Sequence, residues 1–302
     1  MQGGIAGRLT NVLRGGAEMK LRNYLEHYIA ARDLSASTIS GYRTVVRRID
    51  SWRGSPVKLK HLSDEFLNDF LTWSLNNATS RYTTKTRRTQ LLVLARGANE
   101  DGLSEYEPRK VKTIKCPRPL IDVWNVEEMQ RLQEAAGELK GTFIRTGLNK
   151  GRFVKAIIAV AWDTALRRGD LLRLEMDWLR SKTFTVVQGK TGAQKVCRIN
   201  DSTLKLVEAI DPAAREIAFP MWAGPDRLVV IAKQAMRNAG LESPRGQFFH
   251  KIRRSSITHI EAVCKGTGWI HGGHSDPTIT SKHYLNIEEA YKDIPTPESI
   301  VV

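Results

Sequence analysis

Apolar residues recur every three or four positions along almost all of this 302-residue chain, and the period drops to two only once, between Phe184 and Ile199. A period near 3.6 belongs to a helix with one buried face, and a period of two to a half-buried strand. The chain is therefore expected to be mainly α, with one small antiparallel β-hairpin. Leu21, Tyr24, Leu25, Tyr28 and Ile29 form a first stripe, and Ile39, Tyr42, Val46, Ile49 and Trp52 a second, which Ser35 or Ser37 can cap. Ser63 can cap a third helix, whose stripe is Leu62, Phe66, Phe70 and Trp73, and a fourth helix is expected over 81–98. Four such helices make a small bundle over 20–105, preceded by a Gly-rich leader, 1–19, read as mobile.

A linker, 106–122, comes next: Pro108 to Pro119 holds three prolines and five basic residues without a period. The second domain, 123–302, opens on the capping box Asn125-Val-Glu-Glu128. Phe153–Thr164 is apolar nearly all round and is expected to be its central buried helix. Leu171, Leu172 and Leu174 continue a helical pattern. Then Phe184–Gln188 and Lys195–Ile199 flank Gly189-Lys-Thr-Gly192, a hairpin with a Gly-bounded turn. Helical patterns return at 203–210, 225–239 and 249–264, with Phe249, Ile252, Ile260 and Val263 on the buried face of the last.

Lys and Arg total 47 against 32 Asp and Glu, a formal net charge of +15, which points to a polyanionic partner. Much of that charge lies on the first bundle. Arg81, Lys85 and Arg88 fall at i, i+4 and i+7 of the fourth helix, with Arg87 beside them and threonines interleaved. Arg43 and Arg47 repeat the pattern on the second helix, and Lys110 and Lys112 extend it into the linker. Guanidiniums and hydroxyls both donate to phosphate oxygens, so these eight residues are the expected contacts to a phosphate-bearing partner. Three widely spaced cysteines make no disulfide framework and fit a reducing compartment. No uncharged stretch approaches the length of a membrane span, and residues 1–18 lack the apolar core of a signal peptide, so the expected location is cytoplasmic and DNA-associated.

Five of the seven histidines lie between His250 and His283. His250 and Arg253 are helical neighbours, placed by the wheel on the flank where a buried face meets solvent. Arg167 and Asp170 lie at the end of the buried helix, Lys190 at the hairpin tip, His274 behind two glycines, and Tyr284 ten residues later. In this order the set resembles the tyrosine recombinase (phage integrase) family. Ala165-Leu-Arg-Arg-Gly-Asp170 resembles the family's first arginine box, with Ala165 where glycine is usual; Lys190 resembles the hairpin lysine. His250-Lys-Ile-Arg253 resembles the His-x-x-Arg box, His274 the Gly-His box and Tyr284 the nucleophile, one residue beyond the commonest spacing. Arg254 is an additional arginine without an assigned part.

The resemblance implies a four-helix core-binding domain followed by a mixed, mostly helical catalytic domain. It also implies an enzyme that cleaves and rejoins DNA through a 3′-phosphotyrosine. Arg167 and Arg253 would hold the non-bridging oxygens, His250 would accept the phenolic proton, and Lys190 would protonate the leaving oxygen. His274 would donate to the phosphate and Asp170 would buttress the site. The implied partners are double-stranded recombination sites, bound as a dimer per site and a tetramer at synapsis, with no cofactor or metal. Residues 286–293 form an amphipathic piece ahead of Pro295 and Pro297, expected to dock on a neighbouring protomer. The rivals are a type IB topoisomerase, a non-catalytic basic helical DNA-binding protein, and a zinc site from Cys264, His271, His274 and His283. The DNA sequence recognised, and whether it is integrated, excised or resolved, are not encoded in these patterns.

Overall fold

Six helix starts among the described residues are set by a side chain, Ser35, Ser63, Ser80, Asn125, Asn149 or Asp276, that accepts from a first-turn amide. The computed structural model describes residues 16–77, 79–117, 120–143, 146–210, 215–220, 225–243 and 247–286. These fall into two compact units, Met1–Arg118 and Pro119–Val302.

In the first unit, α1 (Leu21–Ala30), α2 (Ala36–Arg53), α3 (Asp64–Asn76) and α4 (Arg81–Glu100) follow one another, with a 3₁₀ turn at Leu59–His61. Ser35, Ser63 and Ser80 accept from the amides of Thr38, Phe66 and Thr83, and so fix three of the four starts. The expected stripes meet in one core around Tyr24, Ile49, Phe70 and Leu94, where Trp52 lies 5.2 Å from Phe66 and 5.5 Å from Phe70, ring centre to ring centre. Two readings change here. Of the expected mobile leader, residues 16–19 are docked: the Leu59 amide donates to the Met19 carbonyl at 2.9 Å, and Glu18 pairs with Lys58 and Lys60. Residues 1–15 lie outside the described residues. The linker is extended as expected, but 109–115 is fastened to α3 and α4. Asp64 accepts from the amides of Arg109 and Lys110, and Asn68 from that of Lys112. Short polar side chains facing a basic segment of missing period were the cue that composition alone did not use.

In the second unit the capping box forms: Asn125 accepts from the Glu128 amide at 2.8 Å and Glu128 accepts from the Asn125 amide at 2.9 Å, starting α5 (Val126–Gly137). The apolar run is α6 (Lys150–Thr164), buried on most sides as its composition requires. The two short helices after it are α7 (Arg168–Leu171) and α8 (Met176–Arg180), a broken turn where continued helix was expected. β1 (Thr183–Val187) and β2 (Gln194–Arg198) pair antiparallel with Phe184 opposite Cys197 and Val186 opposite Lys195. Then follow α9 (Asp201–Glu208), α10 (Pro225–Asn238), α11 (Phe248–Val263), α12 (Gly268–Gly272) and α13 (Pro277–His283). One core joins Phe153, Ile157, Leu171, Phe184, Phe219, Phe248 and Ile252. Val263, expected on the buried face of α11, is 72% exposed because the helix ends there. Among the described residues no helix is long and apolar enough to cross a membrane.

Candidate active site

The residues singled out by type and spacing are brought together in the second unit where the end of α6, the root of the hairpin, α11 and α13 converge. α6 stops at Ala165, which takes the left-handed conformation (φ 46°, ψ 29°) and turns the chain so that Arg167 begins α7. Arg167 donates through Nη1 to Oε1 of Gln188, the first residue after β1. Asp170 is buried; its Oδ1 accepts from the Gly189 amide at 3.0 Å and from Arg173, while Oδ2 has no partner. The hairpin turn closes through Gln188 itself, whose amide donates to the Ala193 carbonyl at 2.9 Å, and Lys190 projects exposed from that turn.

Arg253 lies on α11 and is 0% exposed, not on the flank where the wheel placed it. Its Nη1 donates to the Ala165 carbonyl, and its Nη2 to the Gly272 carbonyl at 2.6 Å and to His274 Nε2 at 2.9 Å. Nε is buried without a partner. Burial pulls this guanidinium down to about 10. Because Arg253 can only donate, His274 Nε2 accepts; its proton therefore sits on Nδ1, which donates to Thr280 Oγ1 at 2.6 Å. Both ring nitrogens of His274 are engaged, so in this arrangement the ring orients Arg253 and has no hydrogen to offer a phosphate.

Tyr284 caps α13. Its ring centre lies 4.4 Å from that of His274 and 5.1 Å from that of His250, and Arg253 Cζ is 5.1 Å from it on the face. The backbone on either side is fixed from α11. Thr258 donates to the Tyr284 carbonyl at 3.3 Å, and Arg254 Nε donates to the His283 carbonyl at 3.2 Å. Arg254, unassigned in the sequence, thus holds the segment that carries the phenol. Its other end reaches Gln247 at 3.0 Å.

Burial first, and the Arg254 and Arg253 cations second, lower His250 to about 4; burial and Arg253 lower His274 likewise to about 4, and burial takes His271 to about 3. All three rings are neutral at pH 7. The unfolded chain, with histidines near 6.5, takes up these protons first as the pH falls, so their stabilisation is complete above pH 6.5 and is lost between 6.5 and about 4 for His250 and His274, and down to about 3 for His271. The thermal midpoint is expected to fall steadily over that interval, and His271→Gln to flatten the slope. A midpoint independent of pH from 7 to 4 would contradict the burial of these rings.

Two residues of the site were missed in the sequence. Gln188 is fully buried and Lys195 nearly so; Lys195 donates through Nζ to the Thr164 carbonyl at the end of α6, and burial lowers it to about 7. The signal was present. Alternation places Gln188 on the same inward face as Phe184 and Val186, and Lys195 with Cys197, so a period of two already put two polar side chains into an apolar layer. Gly273 presses on both. It has φ +63°, and a Cβ built there would stand 2.8 Å from Gln188 Nε2 and 2.8 Å from Lys195 Cδ. Gly192 also has positive φ, +67°, but nothing lies within 4 Å. Gly192→Ala is expected to cost about 1–2 kcal/mol of left-handed strain alone, and Gly273→Ala clearly more, because two buried side chains must also move. Equal losses in denaturant titrations would contradict that packing.

The expected DNA contacts on the first unit divide in two. Arg88 donates to the Val111 and Lys112 carbonyls at 3.0 and 2.7 Å, Arg81 to the Lys115 carbonyl at 2.8 Å, and Arg87 to Ser74 at 2.8 Å. Lys112 reaches Thr72. These four fasten the linker and the α3–α4 pair. Arg43 is paired with Glu26 at 2.8 Å, and Arg47 reaches Thr44. Lys85 and Lys110 have exposed side chains. Of the rival zinc ligands, His274 is committed to Arg253 and Thr280, and His271 Nε2 lies 2.7 Å from Ser256 Oγ. Among the described residues no three His, Cys, Asp or Glu side chains converge as metal ligands.

Residues 21–100 match the family model of the phage integrase N-terminal SAM-like domain. No curated protein sequence matches the chain. Over the whole chain the fold is similar to a lambda integrase (75–356) dimer bound to a COC′ core site, at TM-score 0.69 and 16% identity, covering 94% of this chain and 100% of that one. It is similar also to a lambda integrase tetramer bound to a Holliday junction (0.67, 16%, 92% and 83%). The Tn1549 transposon integrase (aa 82–397) in complex with circular intermediate DNA is a third such structure (0.64, 12%, 92% and 100%). Both units of the chain thus have the architecture of these proteins.

Proposed function

We propose that this chain is a tyrosine recombinase, a site-specific enzyme that cuts and rejoins DNA strands through a 3′-phosphotyrosine. One observation carries the reading: the only tyrosine among the described residues of the second unit, Tyr284, sits with its ring against His250, His274 and Arg253, inside a fold shared with DNA-bound integrases. No structural role requires a phenol, a neutral histidine and a buried arginine to meet at one point.

The chemistry follows from the side chains. Tyr284 Oη attacks the scissile phosphorus, a P–O bond to tyrosine forms, and the bond to the 5′ oxygen breaks. The phenolic proton passes to His250, whose lowered pKa keeps it neutral and able to accept. Lys190, on the exposed turn, gives a proton to the departing 5′ oxygen. Arg167 and Arg253 meet the charge that gathers on the non-bridging oxygens, and donors of this kind are each worth about 3–4 kcal/mol. Arg253 offers its unpartnered Nε once the phenol swings off its face toward phosphorus. Asp170 and Arg254 act through others: Asp170 fixes the Gly189 amide beside Lys190, and Arg254 fixes the backbone before Tyr284. Because the phosphotyrosine conserves the bond that was cut, rejoining needs no nucleotide.

Lys85 and Lys110, with Arg43 and Arg47, are the first unit's proposed phosphate contacts, while Arg81, Arg87, Arg88 and Lys112 shape the surface that presents them. Binding would take place in the cytoplasm as a dimer on each site and a tetramer at synapsis; the lambda integrase structures hold a dimer on a core site and a tetramer on a Holliday junction. The proposed docking tail, 287–302, lies outside the described residues. The test is a pool of nicked duplexes with a randomised central segment, incubated in EDTA without ATP. A covalent protein–DNA adduct surviving denaturation is the expected result, and its DNA, once sequenced, gives the site. Relaxation of supercoiled plasmid without exchange between two copies of that site would favour the topoisomerase instead.

A further inference from the structure

Gln188 is the residue on which three parts of the site converge. Its backbone closes the turn that carries Lys190: the amide donates to the Ala193 carbonyl at 2.9 Å, and the carbonyl accepts from the Gly192 amide at 2.8 Å. Its side chain is 0% exposed. Oε1 accepts from Arg167 Nη1, and Nε2 donates to the Gly273 carbonyl at 2.9 Å, one residue before His274. An apolar side chain would serve the hairpin's inward face more simply, since Phe184 and Val186 occupy the neighbouring places on it. A buried amide is costly unless its groups are bonded, and these bonds go to a catalytic guanidinium and to the turn that aims His274.

We propose that Gln188 is a positioning residue for phosphate activation, holding the Arg167 guanidinium in one rotamer and tying it to the Gly273–His274 turn. This rests on the recombinase reading above. Arginine's long side chain loses considerable rotamer freedom when fixed, and a donor preset at the place where charge develops needs no reorganisation during the reaction. Gln188 touches no DNA; it acts through Arg167. Because the same residue closes the Lys190 turn with its backbone, a displacement of the hairpin reaches Arg167 through one side chain.

The test uses the duplex recovered from the adduct pool, in two forms: with the ordinary scissile phosphodiester, and with a methylphosphonate there. The methylphosphonate replaces one non-bridging oxygen by methyl and carries no charge, so a guanidinium that neutralises charge has less to contribute. Gln188→Met, which keeps length and lacks both polar groups, is expected to slow cleavage of the phosphodiester about ten- to hundred-fold. On the methylphosphonate the loss should be much smaller, and Arg167→Ala should show the same split. DNA affinity should stay near that of the unaltered protein. Equal losses on the two substrates, or no loss on either, would overturn the positioning role. If Gln188→Met does not fold, Gln188→Glu takes its place: it keeps the shape, and its carboxylate competes with phosphate for Arg167, so the same split is expected and the same outcomes overturn it. An unaltered protein that forms no adduct would instead sink the recombinase reading itself.

Discussion

Tyr284→Phe will abolish the covalent adduct while leaving DNA binding at the level of the unaltered protein. The substitution removes one oxygen from a side chain that is 9% exposed and keeps the ring that packs on Ala165 and Ile257. The fold should therefore survive, and no bond from phosphorus to protein can form. The loss is complete and not partial, since no second phenol stands beside His250 and Arg253 among the described residues. A non-catalytic DNA-binding protein would be indifferent to the change. Gel separation under denaturing conditions, with labelled nicked duplex, reads the difference directly.

Arg253→Ala should have the next largest effect, and on two quantities at once. The guanidinium occupies a fully buried position and satisfies the Ala165 and Gly272 carbonyls as well as His274. Its removal leaves those carbonyls buried and unpaired, at about 1–3 kcal/mol each. It also removes a transition-state donor, worth roughly 10²–10³ in cleavage rate. The two losses separate if the rate is measured well below the variant's melting temperature. Arg253→Lys keeps a charge but not the planar fork, and it cannot reach three acceptors in different directions at once. It should recover part of the stability and little of the rate. Full activity in either variant would mean that Arg253 is a structural anchor alone.

How much of this was legible in the sequence depends on whether the determining force was local. The helix starts at Ser35, Ser63, Asn125 and the strands of the hairpin are fixed by capping groups and by period, which neighbouring residues encode. The convergence of Arg167, His250, Arg253, His274 and Tyr284 was anticipated from their order and from resemblance to a family. The depth at which Arg253 lies was not: a helical wheel knows one helix, whereas Arg253 is covered by α6, α12 and the Tyr284 ring. The same limit hid the tautomer of His274, which follows from a partner twenty-one residues away. Charge runs misled in a third way. Arg81 and Arg88 share a helical face, with Arg87 beside it, and look like a phosphate-binding row, yet each donates to the chain's own oxygens. Counting positive charge cannot distinguish a cation that serves a ligand from one that serves a loop.

The measurement that bears most directly on the central claim is mass spectrometry of the trapped adduct after exhaustive nuclease and trypsin digestion. The account predicts a nucleotide remnant joined through a 3′-phosphate to the peptide containing Tyr284, formed in EDTA and absent from Tyr284→Phe. A remnant on Tyr291 or on any residue other than Tyr284, or an adduct that persists in Tyr284→Phe, would contradict it.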